Sequence, residues 1–169
     1  MTPRKIESDR LCMRFFREDD LNALWRIMSN PEVMRFSLSG PYSREKTEAF
    51  LKACIESYAS RATGLYAVEL NATKEVIGYC GFYYHEIDGR EEVEIGYRIH
   101  PDFWGRGIAT EAAKAIQAFG KEQFGYQRLI SIIEAKNTAS IRVAEKCGMR
   151  FEKESIFKET VPVCIYSIG

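Results

Sequence analysis

No Cys-x-x-Cys pair occurs in this sequence, and its five cysteines, Cys12, Cys54, Cys80, Cys147 and Cys164, are scattered and odd in number. That pattern argues against a disulfide framework and for free thiols in a reducing cytoplasm. Histidine is scarce. His85 and His100 stand alone, away from the cysteines and off helical ligand spacing, so no metal site is expected. Net charge is missing too: 24 Lys and Arg balance 24 Asp and Glu, which offers no bulk basic surface to nucleic acid or membrane. No apolar run reaches the length of a bilayer span, and no signal-type segment follows Met1-Thr2-Pro3-Arg4-Lys5. Repeats, linkers and low-complexity stretches are absent as well. The 169 residues are expected to form one domain, 1–169, large enough for a core without staples.

What is there centres on residues 91–124. Val93, Ile95, Tyr97 and Ile99 alternate with Glu92, Glu94, Gly96 and Arg98, the period of a strand with two unlike faces. A proline-containing loop, His100 to Trp104, leads to the small-residue turn Gly105-Arg106-Gly107-Ile108-Ala109-Thr110. Beyond it Ile108, Ala112, Ile116 and Phe119 recur three or four apart, which predicts a helix to Phe124. A strand feeding a helix through small residues leaves main-chain N–H groups unpaired at the helix start. Backed by the positive end of the helix dipole, such a nest suits a pyrophosphate. A dinucleotide fold would place its first glycine directly after the strand, and a P-loop would continue Gly-Lys-Ser/Thr; neither context is present.

Around this unit the pattern predicts a strand over 10–16, a helix carrying Leu21, Leu24, Trp25 and Met28 behind an N-cap from Glu18-Asp19-Asp20, and an end at Asn30-Pro31. A loop over 36–42 precedes a helix capped by Ser43 with Phe50, Leu51, Cys54 and Ile55 inward. Strands over 65–70 and 75–84 follow. Asp88-Gly89 is the strongest hairpin signal, turning the second of these into the central strand. The apolar stretch 127–133 reads as a strand covered on both faces, joined to the central strand by a right-handed crossover and so parallel to it. Such a pair inside a mostly antiparallel sheet is where strands splay and admit a ligand. A short helix over 140–147 with Ile141, Ala144 and Cys147 inward stops at Gly148. Strands over 152–157 and 163–168 complete an α/β (α+β) fold: a mixed, mostly antiparallel sheet with a splayed parallel pair of central strands and about four helices.

Two segments carry a family resemblance. Residues 94–112 (Glu-Ile-Gly-Tyr-Arg-Ile-His-Pro-Asp-Phe-Trp-Gly-Arg-Gly-Ile-Ala-Thr-Glu-Ala) and 137–149 (Asn-Thr-Ala-Ser-Ile-Arg-Val-Ala-Glu-Lys-Cys-Gly-Met) resemble the GNAT-type N-acetyltransferases, and within them the Rim branch that acetylates N-termini of ribosomal proteins. The resemblance covers essentially the whole chain. It departs from the wider superfamily's Gln/Arg-x-x-Gly-x-Gly/Ala at Trp104, a substitution common in the Rim branch.

The resemblance implies acetyl-CoA as co-substrate, with its pyrophosphate on amides of Gly105, Arg106, Gly107, Ile108, Ala109 and Thr110 beside Trp104. Tyr97, Arg98 and Ile99 would pair with the pantetheine arm as with an added strand. Asn137 would bond the same arm, and Ser140 would protonate the departing thiolate, where many relatives use a tyrosine. Helix capping is the plainer alternative for Asn137 and Ser140. Glu94 is the candidate to take the amine's proton through water, against its plainer reading as a solvated or salt-bridged carboxylate; His85 and His100 are fallback bases. Deprotonating a lysine-like or polyamine acceptor at pH 7 costs roughly 4–5 kcal/mol, an α-amine only about 1. The weak base signal is compatible with the α-amine. Trp25 and Trp104 read as core or cleft-wall aromatics, Tyr79, Tyr83 and Tyr84 as candidate cleft lining, and 36–43 as a candidate substrate loop. No cysteine stands at either motif as a nucleophile, so direct transfer to the amine is expected. Acetylation of a small-molecule amine, or a CoA-binding sensor without turnover, remains as an alternative. No nucleic acid or membrane partner is expected, and a homodimer is left open.

Overall fold

A computed structural model describes residues 5–169. Eight strands form one sheet: β1 (Ile6–Glu7), β2 (Leu11–Phe15), β3 (Leu65–Leu70), β4 (Val76–Ile87), β5 (Arg90–Ile99), β6 (Leu129–Ile133), β7 (Arg150–Phe157) and β8 (Val161–Ile168). Their spatial order is β1-β2-β3-β4-β5-β6-β8-β7. The helices are α1 (Leu21–Met28), α2 (Arg44–Arg61), α3 (Ile108–Phe124) and α4 (Thr138–Lys146). All neighbouring strands are antiparallel except β5 and β6. The mixed sheet with one parallel pair is therefore the fold that the crossover helix α3 dictates.

The β4–β5 hairpin is the spine. Asp88 (φ 51°) and Gly89 (φ 76°) both take left-handed backbone, the two-residue turn whose twist matches the flanking strands. Pairing then runs unbroken from Ile87 opposite Arg90 to Gly78 opposite Ile99. Because side chains alternate, one face of the hairpin carries Cys80, Phe82, Ile95 and Ile99, packed on Ile108, Ala112 and Ile116 of α3. The other face presents Tyr79 among Leu24 and Ile27 of α1 and Leu51 and Cys54 of α2. The helical stripe of α3, the Ser43 cap (Oγ accepting from the Lys46 amide at 3.1 Å) and the left-handed stop at Gly148 (φ 84°) all form as the sequence reads.

Several readings need correction. Asp20 does not cap α1. Residues 18–20 make a 3-10 turn, and the buried Asp20 carboxylate binds both terminal nitrogens of Arg14 at 2.8 and 2.9 Å, Glu69 taking Arg14 Nε at 3.0 Å. A buried guanidinium needs such partners, and that requirement outbids the cap. Trp25 and Trp104 are not core residues: they are 38% and 49% exposed, and Ile27 fills the place on α1 expected of Trp25. Tyr84 turns to the α3 face, where its hydroxyl meets that of Tyr126 at 2.7 Å and Arg61 lies over its ring. Neighbours in a strand cannot share a face, so Tyr83 and Tyr84 never lined one cleft together. β1 is too short to show a period, and the sequence gives no sign of it.

Candidate active site

The turn before α3 is built for close approach. Gly105 and Gly107 hold φ of 74° and 76°, and a Cβ at Gly105 would meet no atom within 4 Å, so that side of the turn is open. Gly107 is the N-cap and supplies no side chain, leaving the first-turn amides of Ile108, Ala109 and Thr110 uncapped. Ile108 itself is buried, which fixes the helix start against the core. The turn is braced from the far end of the chain. Arg10 donates Nη1 to the Arg106 carbonyl at 2.9 Å and Nε to Glu111 at 2.8 Å, while Ser8 Oγ and the Arg10 amide donate to the other Glu111 oxygen. Partial burial raises the Glu111 pKa, but the bonds from Ser8 and Arg10 outweigh it and hold the carboxyl below its usual value. The Arg106 guanidinium is exposed and sits 5.7 Å from the centre of the Phe103 ring.

Beside the turn the sheet opens. β5 and β6 share one register pair, Glu94 with Ile130, and no further pair among the described residues. From Gly96 to Ile99, β5 has β4 on one side and nothing strand-like on the other. The His100 amide donates to Ile77 in β4, so by alternation the main-chain groups of Tyr97 and Ile99 point into the gap. One of these is already used: the Trp104 indole N–H donates to the Ile99 carbonyl at 2.7 Å. Tyr97 keeps both main-chain groups for a ligand, and Ile99 keeps its amide.

The gap is flanked by different chemistry on its two faces. On the α1/α2 face, Glu94 Oε1 meets His85 Nε2 at 2.8 Å and Glu94 Oε2 accepts from the Ile132 amide at 3.2 Å. In a continued ladder that amide would go to the β5 main chain; the carboxylate takes it instead. His85 stacks on Tyr83 and meets the edge of Phe157. Arg98, on this same face, donates Nη1 to the Val33 carbonyl at 3.1 Å and so ties the segment after α1 to the sheet. On the α3/α4 face, Tyr97 donates its hydroxyl to Ser140 Oγ at 3.1 Å, and burial pushes the Tyr97 phenol up to about 12. Asn137 caps α4, its side-chain oxygen accepting from the Ser140 amide at 3.3 Å, which leaves the Asn137 NH₂ unspent.

Glu94, Tyr97, Arg98 and Ile99 thus lie on β5, Trp104 bonds the Ile99 carbonyl, Ser140 bonds the Tyr97 hydroxyl, Asn137 caps the helix that carries Ser140, and the 105–110 turn leads from the end of β5 into α3. His100 is apart: its Nδ1 accepts from the Asp102 amide and serves the 3-10 turn Pro101–Phe103. Sequence reasoning missed the His85–Glu94 bond, the Tyr97–Ser140 bond and the Arg10–Glu111 brace. A separate cavity of about 670 Å³ lies between α1 and β3–β4, lined by the ion pairs Arg14–Asp20, Arg14–Glu69, Arg26–Glu75 and Arg17–Asp19 together with Lys74. Among the described residues no group of three His, Cys, Asp or Glu is placed to hold a metal, and no helix is long and apolar enough to cross a membrane.

Comparison with known proteins agrees with this fold. The fold and the matches define an acetyltransferase. More particularly, the chain belongs to the GNAT family, whose acetyltransferase (GNAT) domain model matches residues 10–150. It is 31% identical over 163 residues to the uncharacterized protein YkkB of Bacillus subtilis, spanning 96% of this chain and 94% of that protein. Identity to the uncharacterized N-acetyltransferase YoaA of the same organism is 30%, over 91% of this chain and 86% of the relative. Among solved structures, a GNAT-family acetyltransferase from Bacillus anthracis superposes with a TM-score of 0.83 at 27% identity, covering 98% of each chain. RimL, a ribosomal L7/L12 α-N-protein acetyltransferase solved with coenzyme A, shares the fold with a TM-score of 0.80 at 22% identity over 97% of each chain. The GNAT family uses acetyl-CoA, and this chain is an N-acetyltransferase.

Proposed function

We propose that the enzyme moves the acetyl group of acetyl-CoA directly to a primary amine, and that its acceptor is the N-terminal α-amine of a protein such as a ribosomal protein, in the cytoplasm. The observation that carries this reading is the unpaired edge of β5 from Gly96 to Ile99, with Glu94 on one face and Ser140 on the other. When bound, acetyl-CoA supplies the activated acyl group. The amides of Gly105 to Thr110, with Arg106, would hold its pyrophosphate, and the main chain of Tyr97 and Ile99 with the Asn137 amide would hold the pantetheine, the Arg98 main chain being turned to β4. The open side of Gly105 and the uncapped first turn of α3 fit that group.

Residues on the two faces then divide the work. The Tyr97 hydroxyl is donated to Ser140 Oγ, which frees the Ser140 proton to point elsewhere, toward the departing sulfur. The Glu94–His85 side faces the incoming amine. Holding both substrates in one gap supplies most of the acceleration, and proton transfer adds to it. Arg98 puts a fixed cation on the acceptor face. That favours a singly charged α-amine over a polyamine, although an Escherichia coli spermidine N(1)-acetyltransferase is 24% identical to this chain over 164 residues.

The test is thiol release from acetyl-CoA with a panel of N-terminal peptides, polyamines and amino acids. Peptide-dependent release is expected. Release with polyamines or free amino acids alone would replace the acceptor, and coenzyme binding without any amine-dependent release would make the protein a sensor.

A further inference from the structure

We propose that His85 is the group that takes the proton from the acceptor amine, and that Glu94 is its positioning residue. This rests on the amine-acetylation reading above and assigns the roles within it. Both Glu94 oxygens are committed, one to His85 Nε2 and one to the Ile132 amide. A proton on Glu94 would neutralise the carboxylate and weaken both bonds, one of which holds the edge of β6. His85 has no such conflict. With its hydrogen on Nε2 and donated to Glu94, its Nδ1 lone pair is left without a partner among the described residues, on a side chain 18% exposed. The ring cannot swing. Tyr83 lies nearly parallel to it, with 5.9 Å between centroids, and the Phe157 edge is 5.1 Å away.

The charged and titratable neighbours leave Glu94 as the one direct ionic partner of the ring. Glu92, opposite His85 across the hairpin, is engaged by Arg128 at 3.0 Å, with Arg90 at 3.7 Å. Tyr83 presents its face to the ring and its hydroxyl to Tyr79; Arg98 reaches away to Val33; Lys158 sits over Phe157. Chemistry favours the same division. An imidazole, with a reference pKa of about 6.5, lies within about 1.5 units of an α-amine, whereas a glutamate lies roughly 3.5 units below it. Proton transfer to the imidazole is the less uphill step.

The step balances as follows. His85 Nδ1 removes one proton from the ammonium and releases it to solvent. The freed nitrogen lone pair forms the C–N bond at the thioester carbon, and the C–S bond breaks with its electron pair on sulfur. Sulfur takes the Ser140 proton. The second proton lost by the nitrogen restores Ser140 through water.

The experiment uses the full chain. Only two histidines are present, so ¹⁵N NMR of the imidazoles, with His100→Gln for assignment, reads the His85 tautomer without any acceptor. Neutral His85 should carry its hydrogen on Nε2, toward Glu94. With a serine-initiated peptide, His85→Gln should lower kcat about 100-fold and erase the acidic limb of the pH profile. Its coenzyme affinity should stay unchanged, which also reports that it folds. Glu94→Gln should keep that limb. An Nδ1–H tautomer in an enzyme that turns over, or normal kcat in His85→Gln with the limb lost only in Glu94→Gln, overturns the proposal alone. Wild-type protein that binds acetyl-CoA but releases thiol with no amine overturns the transfer reading and this proposal together.

Discussion

The Tyr97 hydroxyl donates to Ser140 Oγ across 3.1 Å, linking the unpaired edge of β5 to the first turn of α4. With the phenol pushed by burial up to about 12, Tyr97 stays protonated throughout any ordinary assay and acts as a fixed donor. Ser140→Ala should therefore lower kcat by about 10²-fold with coenzyme affinity unchanged. Tyr97→Phe should lower kcat less, and neither variant should acquire or lose an alkaline limb below about pH 10. Steady-state kinetics with calorimetric coenzyme binding checks this. Unaltered turnover in Ser140→Ala would remove its acid role.

Gly107 separates strain from charge. A Cβ there would find Arg10 Nη2 at 3.7 Å, an ordinary contact, so Gly107→Ala meets only the left-handed backbone at φ 76° and should cost about 1–2 kcal/mol of stability. Gly107→Glu adds a carboxylate where phosphate is expected and should abolish coenzyme binding. Comparing the two variants by calorimetry and thermal melting isolates the electrostatic loss. Wild-type affinity in Gly107→Glu would move the pyrophosphate elsewhere.

Gly96 lies under the Tyr83 ring, and a Cβ there would fall 2.5 Å from Tyr83 Cε2. Gly96→Ala should push that ring, and with it the His85 ring stacked on it, at about 1–3 kcal/mol in stability. Turnover should fall more steeply than coenzyme affinity. Equal losses in both would mean the strand edge, not the ring, has shifted.

Acid sensitivity should trace to β7. The hydrogen bond from Arg128 holds the Glu152 carboxyl at about 2, below its usual 4.5. Its folded pKa is the lower one, so the unfolded chain binds more protons and stability rises with pH. The contribution is complete above about pH 4.5 and is lost as pH falls toward 2. Urea midpoints measured across that window should fall less steeply in Glu152→Gln than in the wild type.

Much of this was legible in the residues because it is local. Period-two alternation over 93–99, the helical stripe from Ile108 and the Asp88-Gly89 turn each name their own structure. The His85–Glu94 relationship was within reach as well. Counting outward from Ile87 and Arg90 sets Tyr83 against Glu94 and His85 diagonal to it, on one face. Other features were out of reach. Glu111 and Arg10 are brought together by the sheet order rather than by any pattern, and the buried Arg14 draws Asp20 away from its cap. Trp104 read as a core or cleft-wall aromatic beside the coenzyme, and no pattern announced that its N–H is spent on the Ile99 carbonyl with the ring half exposed.

The Glu94–Ile132 bond acts as a doorstop. A carboxylate seated on that amide keeps the seam between β5 and β6 ajar, so a zipped ladder would not compete with the coenzyme for the same groups. Affinity then reflects the contacts the coenzyme makes, undiminished by any work of prising strands apart.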